Sequence, residues 1–278
     1  MVKIFLSVRN RLAITVKCIE ALIKHSTLPH QIYVYDNATS YLLDEHFLFF
    51  HQMFRERKIA QVTFTTEKST FRAFSKASTC NFFGKQHEMD PKKHKYAFLL
   101  MLDNDVIVTP GWDEKLKRAW EFIKKNPPDH ANIKVIGQLP GGIKNTVNPR
   151  IKIDEMEGRV GKLGGSGLWS VSTNFFDDVG FLNLKQLVNH DKRHDQLYWR
   201  MMDVSTGGKP YIMGLDQKLG IHCGKMAGSV CNILTRNRGK ANKANLIKFE
   251  KAEKGIAAMD FDTFYKKIND DISLIRDW

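Results

Sequence analysis

No stretch of this 278-residue chain holds about 18 consecutive apolar residues, so it carries no transmembrane helix. The opening MVKIFLSVRNR has an apolar run too short for a signal peptide and reads better as a strand; a cytoplasmic protein is the expectation. Cysteine is scarce, and Cys18, Cys80, Cys223 and Cys231 form no C-x-x-C pair. They read as reduced, mostly buried thiols. A zinc site around Cys223 and Cys231 stays open, although tetrahedral sites need tighter pairing. A P-loop, a dinucleotide-binding fingerprint and a G-x-S-x-G elbow are all missing, which removes the phosphate-loop enzymes, the Rossmann dehydrogenases and the α/β-hydrolases. There is no internal repeat and no long low-complexity linker. Acidic residues are in the minority, with 30 Asp and Glu against 43 Lys and Arg and a net charge of +13. Such a surface attracts polyanions, nucleic acid and anionic membrane or lipopolysaccharide among them. Plain solubility is the alternative reading of the same charge.

With 42% apolar and 26% charged residues, the composition is that of a globular chain able to bury a core. The first half alternates strand and helix. Residues 2–8 (VKIFLSV), 31–35 (QIYVY), 61–65 (QVTFT), 95–102 (KYAFLLML) and 133–137 (IKVIG) read as strands. Between them, 12–25, 41–57, 69–86 and 112–125 read as helices. That order predicts a mostly parallel central sheet flanked by helices, an α/β class with right-handed crossovers. KYAFLLML is apolar almost without a break, as in a central strand buried on both faces. Beyond 138, Gly and Pro suggest loops and a hairpin up to 165. A strand is expected at 168–172, a helix at 191–203 and a short strand at 211–214. The basic stretch 236–254 reads as a loop leading into a helix. The predicted organisation is one main domain, 1–225, and a basic C-terminal extension, 226–278.

The strongest chemical signal is Asp103-Asn104-Asp105, at the end of the most hydrophobic strand. Ligands of open α/β sheets bind outside the carboxyl ends of strands. Two carboxylates one residue apart repel unless a cation sits with them, and Mg²⁺ or Mn²⁺ prefers carboxylate and phosphate oxygens. Such a site suits a diphosphate; the alternative is a solvated turn. Asp36, in Asp36-Asn37-Ala38-Thr39 at the end of the second strand, can accept from the imide N–H of a uracil, or can form an Asx turn. Arg9-Asn10-Arg11 follows the first strand, where an arginine can meet a phosphate or ribose, or merely open a solvated helix.

S-V-R-N-R, Y-D-N-A-T and L-D-N-D-V, in that order and spacing, resemble the family-2-like glycosyltransferases with the GT-A fold. Arg72 and the helix carrying Ala77 and Asn81 fall where that family has a helix before the acidic strand. Gly164-Gly165-Ser166-Gly167-Leu168-Trp169 resembles the small-residue segment bordering the donor sugar, and Phe176-Asp177-Asp178-Val179-Gly180-Phe181 the family's F-x-x-V-G-F turn. The resemblance covers roughly residues 2–225. It implies a nucleotide-sugar-dependent, divalent-metal-dependent (Mn²⁺ or Mg²⁺) transferase of hexosyl or pentosyl groups. Asp36 would contact the base, with a UDP-sugar favoured, and Arg9, Arg72, Asp103 and Gly165 would complete the donor site. Asp105 and His222 would ligate the metal, His222 having a buried structural role as its alternative. Asp195 would be the general base of an inverting transfer, with Asp191 as second choice; the family's Glu-Asp pair is here His194-Asp195.

Two rival classes remain. A nucleotidyltransferase also uses an α/β sheet, acids and Mg²⁺, but usually brings a Gly-rich loop that SVRNRLA lacks. A non-catalytic nucleic-acid-binding protein suits the charge but not the placed acids. The acceptor stays open between a surface glycan, lipopolysaccharide, a protein and a modified base in DNA. Arg236, Arg238, Lys240, Lys243 and Lys248 could contact the phosphates of a polyanion.

Overall fold

The computed structural model describes residues 1–37, 39, 42–65, 72–126, 130–138, 150–162, 167–182, 201–223, 243–271 and 273, the side chains of 72–78 and 243–246 excepted. Strand β1 (Val2–Val8) is buried at every position except Ser7, because it lies between β2 (His30–Asn37) and β4 (Leu99–Asp103), parallel to both. Helices α1 (Leu12–His25), α2 (Leu43–Arg55) and α3 (Arg72–Glu88) alternate with β2 and with β3 (Gln61–Thr65). The expected strand at 95–102 starts only at Leu99, since Lys93–Lys95 form a short 3-10 turn after Asp90-Pro91. After β4 come β5 (Val106–Val108), α4 (Trp112–Lys125), β6 (Val135–Gln138) and the hairpin of β7 (Arg150–Ile153) with β8 (Met156–Gly161). Then follow β9 (Leu168–Val171), α5 (Phe175–Val179), β10 (Ile212–Leu215), β11 (Gly220–His222), α6 (Lys243–Ala257) and α7 (Phe261–Asp270).

Nine strands form one sheet in the order β3-β2-β1-β4-β9-β6-β10-β8-β7. Within it, β8 and β9 run against the others, so the sheet is mostly parallel. Strand alternation divides the core between its two faces. Ile4, Leu6, Leu100 and Leu102 point to one side, where Ile14, Ile19 and Leu22 of α1 and Leu116 and Trp120 of α4 pack. Phe5, Leu99 and Met101 point to the other, onto Phe83 of α3, Trp169 of β9 and Phe175 and Phe176 of α5. Ile256 of α6 and Phe264 and Ile268 of α7 belong to the first of these cores. The C-terminal helices are therefore packed on the sheet side that holds α1. Asp260 starts α7 by accepting the Thr263 N–H at 2.8 Å, an N-cap that its sequence D-F-D-T carries. Among the described residues, no helix is long and apolar enough to cross a membrane.

Two features position the site. From β1 the chain builds outward through β2 to β3, then returns to place β4 on the opposite flank of β1. The order thus reverses between β1 and β4, and the crevice at such a reversal is where open sheets bind ligands. Separately, β5 and β11 pair antiparallel in a small second sheet, with His222 opposite Val106. This pairing was not legible in the sequence, and it carries His222 to the end of β4.

Candidate active site

The crevice begins with an unusual turn. Asn10 (φ 54°) and Arg11 (φ 60°), between β1 and α1, are both left-handed without being glycine. Each such residue costs roughly 1 kcal/mol and persists only when its surroundings over-determine it. Here the Asn10 N–H donates to Thr39 Oγ1 (2.9 Å), and Asn104 Nδ2 donates to the Asn10 carbonyl (3.2 Å) and to Thr15 Oγ1 (2.8 Å). The Thr15 hydroxyl donates in turn to the Arg11 carbonyl at 2.8 Å. Asn104, the middle residue of the acidic triplet, is therefore a buried fastening between β4 and the β1–α1 turn.

The turn aims Arg11 at Asp105. Arg11 Nη1 lies 2.5 Å from Asp105 Oδ2, with both side chains largely buried. The other oxygen, Oδ1, is 3.6 Å from His222 Nε2. The Cys223 N–H donates to the Asp105 carbonyl at 2.7 Å, so strand pairing continues just past the carboxylate. Asp105 and His222, the expected metal ligands, are thus brought together. A carboxylate oxygen and an imidazole nitrogen are donors that Mn²⁺ or Mg²⁺ accepts. Among the described residues, no group of three His, Cys, Asp or Glu side chains could hold a metal by itself. Asp103, half-buried at the last position of β4, donates its N–H to the Gly167 carbonyl at 2.9 Å.

The register of β1 sets Asp36 opposite Val8 and Asp103 opposite Ser7. The two acids therefore stand at the carboxyl ends of the interior strands β2 and β4, two strand spacings or about 10 Å apart. Asp36 is 1% exposed. Its Oδ1 accepts the Thr39 N–H at 2.9 Å, the Asx-type turn that the sequence allowed, and its Oδ2 is 3.4 Å from Nδ1 of the fully buried His46 on α2.

Cys18 and Cys223 lie close to the same carboxylate. Burial first, and the charge of Asp105 second, push both thiols up from their ordinary value, so they are neutral. Cys80 packs in the other core, and Cys231 lies outside the described residues.

Compared with solved structures, the chain is similar to S. aureus TarS 1–349, with a TM-score of 0.50 and 13% identity over 91% of this chain and 72% of that one. It is also similar to GalNAc-T7 with UDP, GalNAc and Mn²⁺ (TM-score 0.54, 10% identity, 78% of this chain and 42% of that one). A third is mannosyltransferase PcManGT from Pyrobaculum calidifontis in complex with GDP-Man and Mn²⁺ (TM-score 0.52, 10% identity, 93% and 76%). The chain has the GT-A glycosyltransferase fold. No protein-family model matches this GT-A chain, and no curated protein sequence does.

Other residues with expected roles are placed unevenly. Arg9 follows β1 and is partly exposed, while its neighbour Arg11 makes the contact with Asp105. Arg72 opens α3, its side chain lying outside the described ones. Asn81 is a clamp: its Nδ2 donates to the Leu182 carbonyl (2.8 Å) and its Oδ1 accepts the Leu182 N–H (2.9 Å). That pair fastens the F-x-x-V-G-F turn to α3. Gly180 ends α5 at φ 86°, a conformation that glycine adopts without strain. Gly165, Asp191, Asp195, Arg236, Arg238 and Lys240 fall outside the described residues; Lys243 opens α6, and Lys248 is exposed upon it. Sequence reasoning missed His46 and Glu253. Nothing local marks either, because each acquires its neighbours from a distant segment.

Proposed function

We propose that the chain is a divalent-metal-dependent glycosyltransferase that moves a sugar from a nucleotide-diphosphate sugar to an acceptor hydroxyl, with inversion. The observation that carries this reading is the meeting of Asp105 and His222 at the topological switch point of a GT-A sheet, 3.6 Å apart. Asp36 is assigned to the nucleotide base and Asp103 to the ribose or the metal; their separation of about 10 Å suits the span from a base to its diphosphate. Arg9, Arg72 and Gly165 are assigned to the rest of the donor. Asp105 and His222 would hold Mn²⁺ or Mg²⁺, and Arg11 fixes the orientation of the Asp105 carboxylate. When bound, the metal supplies neutralisation of the charge developing on the leaving diphosphate. Asp195 takes the proton from the attacking hydroxyl, with Asp191 as its alternative. UDP and Mn²⁺ in the GalNAc-T7 structure, and GDP-Man and Mn²⁺ in that of PcManGT, are in keeping with this class of donor.

For the acceptor, the net charge of +13 favours a polyanion such as DNA carrying a modified base, or a charged surface glycan. Arg236, Arg238, Lys240 and Lys243 are assigned to it. A steep fall of acceptor affinity with rising salt is the expected signature.

The direct test is a thermal-shift panel of UDP, GDP and their sugars, each with Mn²⁺ and with EDTA. A ligand that binds only the folded protein raises its transition. A metal-dependent rise with one nucleotide supports the reading and names the base; no rise with any of them overturns it.

A further inference from the structure

We propose that Glu253, on the C-terminal helix α6, is a positioning residue for the metal-binding end of this site. The inference rests on the reading of the donor site given above. Helix α1 begins without any cap of its own: Arg11 stands at the N-cap with no side-chain hydrogen bond to the helix, and the first turn contains no acidic residue. Its unsatisfied amides and positive dipole end call for an acceptor. Glu253 supplies one from a helix near the other end of the chain. Its Oε2 accepts the Ala13 N–H at 2.9 Å, and the residue is only 6% exposed. Its Oε1 accepts no hydrogen bond among the described residues. Burial raises the carboxyl from its ordinary value, while the Ala13 N–H and the charges of His46 and Arg11 act in the opposite direction.

A buried carboxylate with one bond is costly as mere packing. The bond it makes lies two residues from Arg11, the residue that holds Asp105. Three fastenings converge on the left-handed Asn10–Arg11 turn: Thr39 from the tip of β2, Asn104 from the tip of β4 and, through Ala13, Glu253 from α6. Thr39 also donates its N–H to Asp36, so one connected set of bonds runs from the base-binding acid to Asp105. Glu253 is the member that ties this set to the C-terminal helices, and without it the start of α1 loses its only side-chain cap among the described residues.

The experiment compares wild type, Glu253→Ala and Glu253→Gln by calorimetric titration with UDP and GDP in the presence of Mn²⁺, well below the thermal transition of each protein. Alanine favours a helix interior, so α6 itself is not disrupted. With one of the three fastenings of the Asn10–Arg11 turn gone, affinity for the nucleotide that wild type binds is expected to fall about three- to tenfold in the alanine variant. Glutamine keeps an acceptor for the Ala13 N–H and recovers most of that loss. If Glu253→Ala lowers only the thermal midpoint and binds as wild type does, Glu253 is merely structural and the proposal fails. If wild type itself binds neither nucleotide, the donor-site reading fails first and takes the proposal with it.

Discussion

His222 Nε2 stands 3.6 Å from Asp105 Oδ1, and the link between them is the two-stranded pairing of β11 with β5. Because β5 follows Asp105 directly, the ladder sets both the distance and the direction of the histidine. Replacing either side chain should abolish the Mn²⁺-dependent part of nucleotide binding while leaving the fold intact. Titration of Asp105→Ala and His222→Ala with nucleotide, with and without EDTA, checks this; retained metal dependence in both would remove the metal assignment.

Arg11 occupies the other oxygen of Asp105. Taking away one partner of a largely buried pair removes part of the compensation of the other charge, and Arg11→Ala should lose about 2–3 kcal/mol of stability. A divalent cation can offset that charge, so Mn²⁺ should stabilise the variant more than it does wild type. Denaturant unfolding with and without Mn²⁺ measures both effects. Equal stabilisation of the two proteins would show that the cation does not bind at Asp105.

At the opposite end of β1, the buried Lys3 bonds Asp90 at 2.7 Å. Burial tends to raise the Asp90 carboxyl, but the bond from Lys3, the Lys92 N–H and the Tyr96 hydroxyl outweigh it and lower the group to about 2. The unfolded value is near 3.9. Its contribution is therefore complete above about pH 4 and is lost as pH falls through about 2. Lys3→Met should shrink the drop in thermal midpoint between pH 5 and pH 2; an unaltered drop would place the acid sensitivity elsewhere.

Gly84 of α3 packs so closely on α5 that an added Cβ would come within 2.5 Å of the Phe176 ring. In an exposed helix, Gly→Ala stabilises by about 1 kcal/mol. Here Gly84→Ala should instead destabilise by about 1–3 kcal/mol through overpacking. Combining it with Phe176→Leu should recover part of the loss, a coupling that a double-mutant cycle reads directly. A stabilised single variant would mean the two helices separate without cost.

The alternation of apolar runs with amphipathic segments determined the α/β class, and the near-continuous apolarity of KYAFLLML marked a central strand, since only a strand covered on both faces can be apolar almost throughout. Asp36, Asp103 and Asp105 were legible because they follow or end the apolar strand runs, and ligands of open sheets bind outside the carboxyl ends of strands. What local pattern could not carry is which distant groups meet them. The pairing of β11 with β5, the left-handed turn that aims Arg11 at Asp105, the burial of His46 against Asp36 and the arrival of Glu253 at the start of α1 all depend on contacts between segments far apart in the chain. Each is decided by tertiary packing, because a hydrogen bond or ion pair records only where two groups end up, and no periodicity in either segment encodes its partner.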